Sequence, residues 1–89
     1  MRAPGTTAAD DEVACARAVN NAAKILAGWL RVEANAVENN DSAAAEGARR
    51  NGELARAELR KCERALTRAQ QDSARERRSW FQRRAEQRR

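Results

Sequence analysis

Two apolar rows, each spaced alternately by three and four residues, constrain most strongly what this chain can fold into. The first row consists of Cys15, Ala18, Ala22, Ile25, Trp29, Val32 and Ala36. The second row consists of Ala48, Gly52, Ala55, Leu59, Cys62, Leu66 and Ala69. This spacing is typical of helices that pack side by side in a coiled coil. The sequence therefore predicts two helices, each with one apolar face.

The segment between the two rows carries the strongest turn signal of the sequence, Asn39-Asn40-Asp41-Ser42. A reversal there brings the rows together as antiparallel helices. We align them so that the numbers of facing residues sum to about 77, which places Cys15 opposite Cys62 and Trp29 opposite Ala48. Large residues then face small ones, as a packed interface requires. The predicted fold class is all-α, an antiparallel, coiled-coil-like two-helix hairpin.

The predicted hairpin covers residues 7–70, with its turn near residues 39–42 and a second helix longer than the first. Residues 1–6 are predicted to be a disordered arm. Thr7 followed by Asp10 fits the capping box that begins a helix. Residues 71–89 continue the second helix as an arginine-rich helical overhang that has no partner helix in this chain. Because an unsupported helix of that length is only marginally stable in water, we expect it to fold against another molecule.

The chain is too small to bury a large core alone. It has 89 residues, of which 42% are hydrophobic, but many of these are alanines and only three are aromatic. A domain of this size gains only about 3–5 kcal/mol from its core. Leu26 and Leu30 lie beside the predicted apolar row of the first helix. We therefore expect assembly into a dimeric bundle, or binding of a helical protein partner, through Leu26, Trp29, Leu30, Trp80 and Phe81.

Positive charge accumulates toward the C-terminal end. Residues 1–48 carry a net charge of −3, whereas residues 49–69 and 70–89 each carry +4. Every basic residue of the last segment is an arginine, namely Arg75, Arg77, Arg78, Arg83, Arg84, Arg88 and Arg89. Guanidinium groups bind phosphate in a bidentate manner, and an exposed aromatic ring can stack on a base. RNA or DNA binding by this segment is therefore the alternative to protein association.

Two resemblances concern the same segment. The run from Trp80 to Ala85 resembles the Trp-Phe-Gln-Asn-Arg-Arg-Ala motif of the homeodomain recognition helix. It lacks the asparagine that reads adenine, and the first two homeodomain helices have no counterpart, so no homeodomain is predicted. The arrangement of a helical hairpin with an arginine-rich, tryptophan-containing end resembles the lentiviral Rev family. That resemblance, which rests on architecture and composition, implies oligomerisation through the hairpin and RNA binding through the arginine-rich helix.

The composition argues against catalysis. The chain has no histidine and no tyrosine, no glycine-rich phosphate loop, and carboxylates that alternate with arginines instead of converging. Two cysteines without histidine cannot complete a structural zinc site. We therefore expect a protein that is not an enzyme, with no cofactor, no metal and no small-molecule substrate.

The compartment follows from the absence of export signals and from the cysteines. No apolar run approaches the roughly 18 residues that span a bilayer, so we do not expect a membrane partner. The first residues lack the apolar core of a signal peptide, which favours a cytoplasmic protein. Cys15 and Cys62 are expected to be facing thiols in that compartment. A disulfide between them would instead indicate a secreted or periplasmic protein.

Overall fold

The computed structural model describes residues 7–87, which form two helices. Helix α1 spans Ala8–Glu38 and helix α2 spans Ser42–Gln87. The helices pack against each other along α1, and α2 is the longer by fifteen residues, with 46 against 31. The predicted all-α hairpin with a longer second helix is thereby confirmed. The predicted disordered arm, residues 1–6, lies outside the described residues.

Helix α1 begins with the capping box that the sequence predicts. The Thr7 hydroxyl oxygen accepts a hydrogen bond from the Asp10 backbone N–H at 3.1 Å. In return, the Asp10 carboxylate accepts one from the Thr7 backbone N–H at 3.2 Å. Two donors that a helix start would otherwise leave unpaired are therefore satisfied. Asp10 and Asp11 also place negative charge at the positive end of the helix dipole.

The connection between the helices is only three residues long, and each of its backbone N–H groups donates a hydrogen bond to a carbonyl of α1. Asn40 has a left-handed φ of 57°. The Asn40 N–H donates to the Val37 carbonyl at 3.1 Å, and the Asp41 N–H donates to the Ala36 carbonyl at 2.8 Å. This is the Schellman pattern that ends a helix. The Asp41 carboxylate then accepts from the Ala44 N–H at 3.1 Å and so caps α2.

Three contacts establish the register of the two helices. A Cβ atom placed on Gly52 would lie 3.9 Å from the Cβ of Trp29. Arg49 Nε lies 3.3 Å from Glu33 Oε1, and the Ala8 N–H donates to Glu76 Oε2 at 3.3 Å. The numbers of these paired residues sum to 81, 82 and 84, so the predicted sum of 77 is wrong by about one helical turn.

The corrected register changes the partners of the cysteines and of Trp29. Trp29 lies beside Gly52 instead of Ala48. A sum of 81 brings Cys15 to the level of Leu66, and Cys62 to the level of Val19. Both thiols are free and half-buried, so no disulfide is formed, and the register displaces the predicted facing pair by about one helical turn. The midpoint of the turn at residues 39–42 already requires 81, and from that midpoint Cys15 is about four residues farther than Cys62.

Burial confirms the predicted apolar row of α2 and half of the row of α1. All seven predicted residues of α2 are buried or half-buried. In α1 the same holds for four of the predicted seven, but Ala18, Ile25 and Val32 are exposed. Half-buried residues one position later replace them, namely Val19, Leu26 and Glu33. Apolar side chains stand at both of two adjacent positions, 18 and 19 or 25 and 26, so the periodicity did not distinguish between these two faces.

The interface between the helices is made mostly of small residues. The buried residues are Ala8, Ala22, Ala36, Ala45, Ala48, Gly52, Ala55, Ala69 and Ser73. Among the described residues, no large side chain is fully buried. A second helix can approach closely over alanine and glycine, but such an interface removes little apolar surface from water. The hairpin is therefore well defined in geometry and modest in core size.

The left-handed backbone of Asn40 yields a first prediction. Asn40→Ala should lower the free energy of unfolding by about 1 kcal/mol, because a Cβ-bearing residue other than Asn is strained at positive φ. Asn40→Gly should be more stable than Asn40→Ala by a similar margin, because glycine adopts positive φ without strain. Asn39→Ala is the matched control, since Asn39 has a φ of −87°. Urea unfolding of the three variants measures the difference; equal losses at residues 39 and 40 would contradict the assignment.

The corrected register yields a second prediction, in which a new cysteine pair closes and the natural pair does not. In the variant Cys15→Ser with Val19→Cys, residue 19 stands at the level of Cys62. Mild oxidation of dilute protein should then form an intramolecular disulfide, detected as faster migration without reductant. The unmodified chain is the control, because its two cysteines are displaced by about one turn, beyond the Cα separation of roughly 7 Å that a disulfide spans. Faster disulfide formation in the unmodified chain than in the variant would contradict the corrected register and support the predicted sum of 77.

Candidate interaction surfaces

The C-terminal end of α2 extends beyond the first residue of α1. Because the Ala8 N–H donates to Glu76, the level of Glu76 marks the start of α1. Residues 77–87, here called the projecting segment, continue as helix past that level for about 17 Å. The sequence placed this boundary at residue 71, and the shift follows from the corrected register. The buried Ser73 shows that α2 is still covered there.

Two exposed aromatic side chains occupy the projecting segment. The rings of Trp80 and Phe81 meet edge to face, with centroids 4.9 Å apart and planes at 80°. Trp80 is 47% exposed and Phe81 is 63% exposed. The guanidinium carbon of Arg84 lies 5.0 Å from the centroid of the Trp80 ring, within the range of a cation–π interaction. Both rings therefore remain available to a partner, with one face of Trp80 already covered.

A groove runs between the start of α1 and the projecting segment. Its volume is about 740 Å³, and its lining is Ala9, Glu12, Ser73, Glu76, Arg77, Trp80, Phe81 and Arg83. The groove is acidic where it meets α1, aromatic in its middle and basic toward the end of α2. It is open to solvent on one side and contains no convergent set of catalytic groups. Its shape and its gradient of charge suit an elongated partner such as a helix.

The predicted phosphate-binding arginines are only partly gathered on one face. Arg75, Arg77, Arg78, Arg83 and Arg84 are all exposed. No ion pair between residues 7–87 uses any of these five; the pairs found there are Arg49–Glu33 and Arg50–Glu46. Successive arginines point in different directions around α2, because 100° of rotation separates neighbouring residues. The predicted Arg88 and Arg89 lie outside the described residues.

The predicted interface residues of α1 do not share one environment. Leu26 and Trp29 are half-buried on the face that packs on α2, whereas Leu30 is 42% exposed. Ile25, Val32 and Val37 are 45–58% exposed, although Ile25 and Val32 belong to the apolar row predicted to pack on the second helix. By helical periodicity, Leu30 and Val37 flank the packed face on one side, and Ile25 and Val32 flank it on the other. The apolar surface of α1 is thus divided between two flanks.

Two further features of the described residues bear on partners. Neither described helix combines the length and apolar content that would let it cross a membrane. Within residues 7–87, no three metal-ligating side chains come together as a group. Cys15 and Cys62 are free thiols in the hairpin, and the Cys62 thiol lies 3.9 Å from a carboxylate oxygen of Glu58.

Comparisons of this chain with protein-family models, with curated proteins and with solved structures found no match.

The different environments of Leu26 and Leu30 give a third prediction. Leu26→Ala should lower the free energy of unfolding by about 1–3 kcal/mol, since it removes a half-buried side chain from the helix–helix face. Leu30→Ala, the same change one turn later, should cost less than about 1 kcal/mol. Denaturant unfolding at low protein concentration separates this effect from any association. Equal losses for both leucines would contradict the placement of Leu26 on the packed face.

Proposed function

We propose that this chain is a non-enzymatic helical-hairpin module for protein–protein interaction, and that it acts by self-association through apolar side chains that one hairpin leaves exposed. One observation carries the proposal. The buried positions hold alanine, glycine and serine, and five larger apolar side chains are only half-buried, namely Val19, Leu26, Trp29, Leu59 and Leu66. Eight others stay 42–70% exposed: Val13, Ile25, Leu30, Val32, Val37, Leu54, Trp80 and Phe81. Much of the apolar surface that could stabilise the fold therefore lies outside the helix–helix interface.

The size of the chain strengthens this argument. A two-helix hairpin has no third element to cover the flanks of α1 or the projecting segment of α2. Domains of fewer than about 70–80 residues usually add disulfides, metals or further copies to reach a stable core, and the packed part of the hairpin, residues 8–76, falls in that range. The two thiols of this hairpin are not bridged. A second copy offers the same helical surfaces and so supplies additional apolar contacts.

Nucleic-acid binding is the second candidate function. It is favoured by the five exposed arginines of residues 75–84, none of which is in an ion pair within residues 7–87. Two properties of the segment weaken this candidate. Arg84 already covers one face of Trp80. Asp72, Glu76 and Glu86 also lie along the same stretch and reduce its positive field.

The fourth prediction tests self-association directly. Sedimentation equilibrium of the full chain in reducing buffer, from low to high micromolar concentration, should show a mass that rises to at least a dimer. The association should persist at high salt, since burial of apolar surface is not screened by ions. A fully helical monomer at every concentration would overturn the proposal.

The same protein titrated with a structured RNA provides the comparison for the second candidate. Phosphate contacts would give an affinity that falls steeply with salt, because each contact releases counterions. If the protein stays monomeric and binds RNA in this salt-dependent manner, nucleic-acid binding becomes the preferred function over self-association. RNA binding that is absent at low salt would remove the second.

A further inference from the structure

The row of α2 residues that packs on α1 continues without interruption into the projecting segment. In steps of seven residues it runs through Ala45, Gly52, Leu59, Leu66, Ser73 and Trp80. The second line of the same row runs through Ala48, Ala55, Cys62, Ala69, Glu76 and Arg83. Trp80 and Arg83 therefore stand at interface positions. No residue of α1 faces them, because α1 begins at Ala8, near the level of Glu76.

We propose that the projecting segments of two copies pair antiparallel and join the hairpins end to end as a symmetric dimer. Each segment then occupies the place beside the other copy's α2 where α1 is missing. This inference rests on the proposed self-association and specifies its surface. It assigns the groove lined by Glu12, Trp80 and Arg83 to the α2 helix of a second copy.

The pairing has two requirements: Trp80 must face a residue of the other projecting segment, and that segment must not overlap α1. One register meets both. If Trp80 faces the second copy's Arg83, the numbers of facing residues sum to 163, and Gln87 comes opposite Glu76, just short of α1. A sum of 156 keeps the same layers but brings Gln87 opposite Ala69, which is buried against α1. A sum of 170 leaves Trp80 with no facing residue in the projecting segment. The position of α1 therefore selects the sum of 163.

The electrostatics of the two ends favour the same arrangement. Five carboxylates surround the start of α1, on Asp10, Asp11, Glu12, Asp72 and Glu76. The second copy's segment brings its arginines toward this acidic end. It also directs the negative C-terminal end of its helix dipole at the positive N-terminal end of α1.

The central layer of the dimer is a tryptophan–arginine pair that occurs twice by symmetry. Arg83 of each copy would lie against the Trp80 ring of the other, which is a favourable cation–π geometry. Arg77 and the second copy's Arg84 form an unfavourable pair, which also occurs twice by symmetry. Both side chains are exposed, so solvent and salt screen their repulsion.

The dimension of the dimer distinguishes this arrangement from a side-by-side bundle. One chain is 73 Å long, and two chains that share about 17 Å would form a rod of about 130 Å. A side-by-side bundle through Ile25 and Val32, or through Leu30 and Val37, would remain near the length of one chain. Small-angle X-ray scattering of the full chain, at a concentration where sedimentation shows a dimer, measures the maximum dimension.

Substitutions in the full chain then locate the contact, and this is the fifth prediction. Trp80→Gln should weaken dimerisation by about tenfold or more, since a central tryptophan is a typical interface hot spot. Arg83→Glu should weaken it as well, whereas Arg83→Lys should retain most of the affinity. Leu54→Gln is the matched control, because Leu54 is 70% exposed and lies far from the projecting segment. Circular dichroism checks that each variant keeps its helices.

Each outcome has a defined meaning. A rod of about 130 Å that requires Trp80 and not Leu54 supports the end-to-end dimer. A dimer near 73 Å in length, or one indifferent to Trp80, overturns this inference and leaves the proposed self-association standing. A monomer at all concentrations overturns both. Dimers that form only after RNA is added would overturn this inference in favour of a nucleic-acid occupant of the groove.

Discussion

The close approach of α1 to α2 over alanine and glycine is the constraint on which the rest of this structure depends. Where Trp29 crosses α2 it meets Gly52, and even an added Cβ there would stay at ordinary contact distance. The other buried positions also hold small residues, alanine and serine. No large side chain of the described residues is fully buried, and those in the interface, such as Leu26, Trp29 and Leu66, are only half-buried. The other large side chains lie on the flanks and on the projecting segment.

That displacement links the fold to the proposed function. A hairpin with a large internal core could be complete as a monomer, and its surface could be wholly polar. In this hairpin small residues occupy the buried positions of the helix–helix interface, and many of the large apolar side chains stay on the surface, where they can contribute to association. The greater length of α2 leaves further surface uncovered, since its interface row extends beyond the start of α1. Trp80 and Arg83 carry the pattern of a packed helix beyond the level at which α1 begins.

The helices, the capping box at Thr7 and the turn could be predicted from the sequence, because each depends on interactions between residues that are close together in the chain. The register was predicted incorrectly. It depends on how two surfaces fit, and the alignment of the two apolar rows that pairs Cys15 with Cys62 differs by four from the sum that the midpoint of the turn requires. The face of α1 was half right, since Ile25 and Leu26 are adjacent and equally apolar. Only the position of α2 determines which of them is covered. The groove at the projecting segment depends on that same register, and so it too required the structure.

The shared use of Asp41 has a consequence for how this chain can vary in length. Asp41 closes the Schellman motif of α1 with its N–H and caps α2 with its carboxylate, so both helices are counted from a single fixed origin. One residue inserted into α2 would rotate everything beyond it by about 100°. Trp80 would leave the interface row although its own neighbours were unchanged. Only additions of about seven residues preserve the row, so the distance from the turn to Trp80 can change in whole heptads alone.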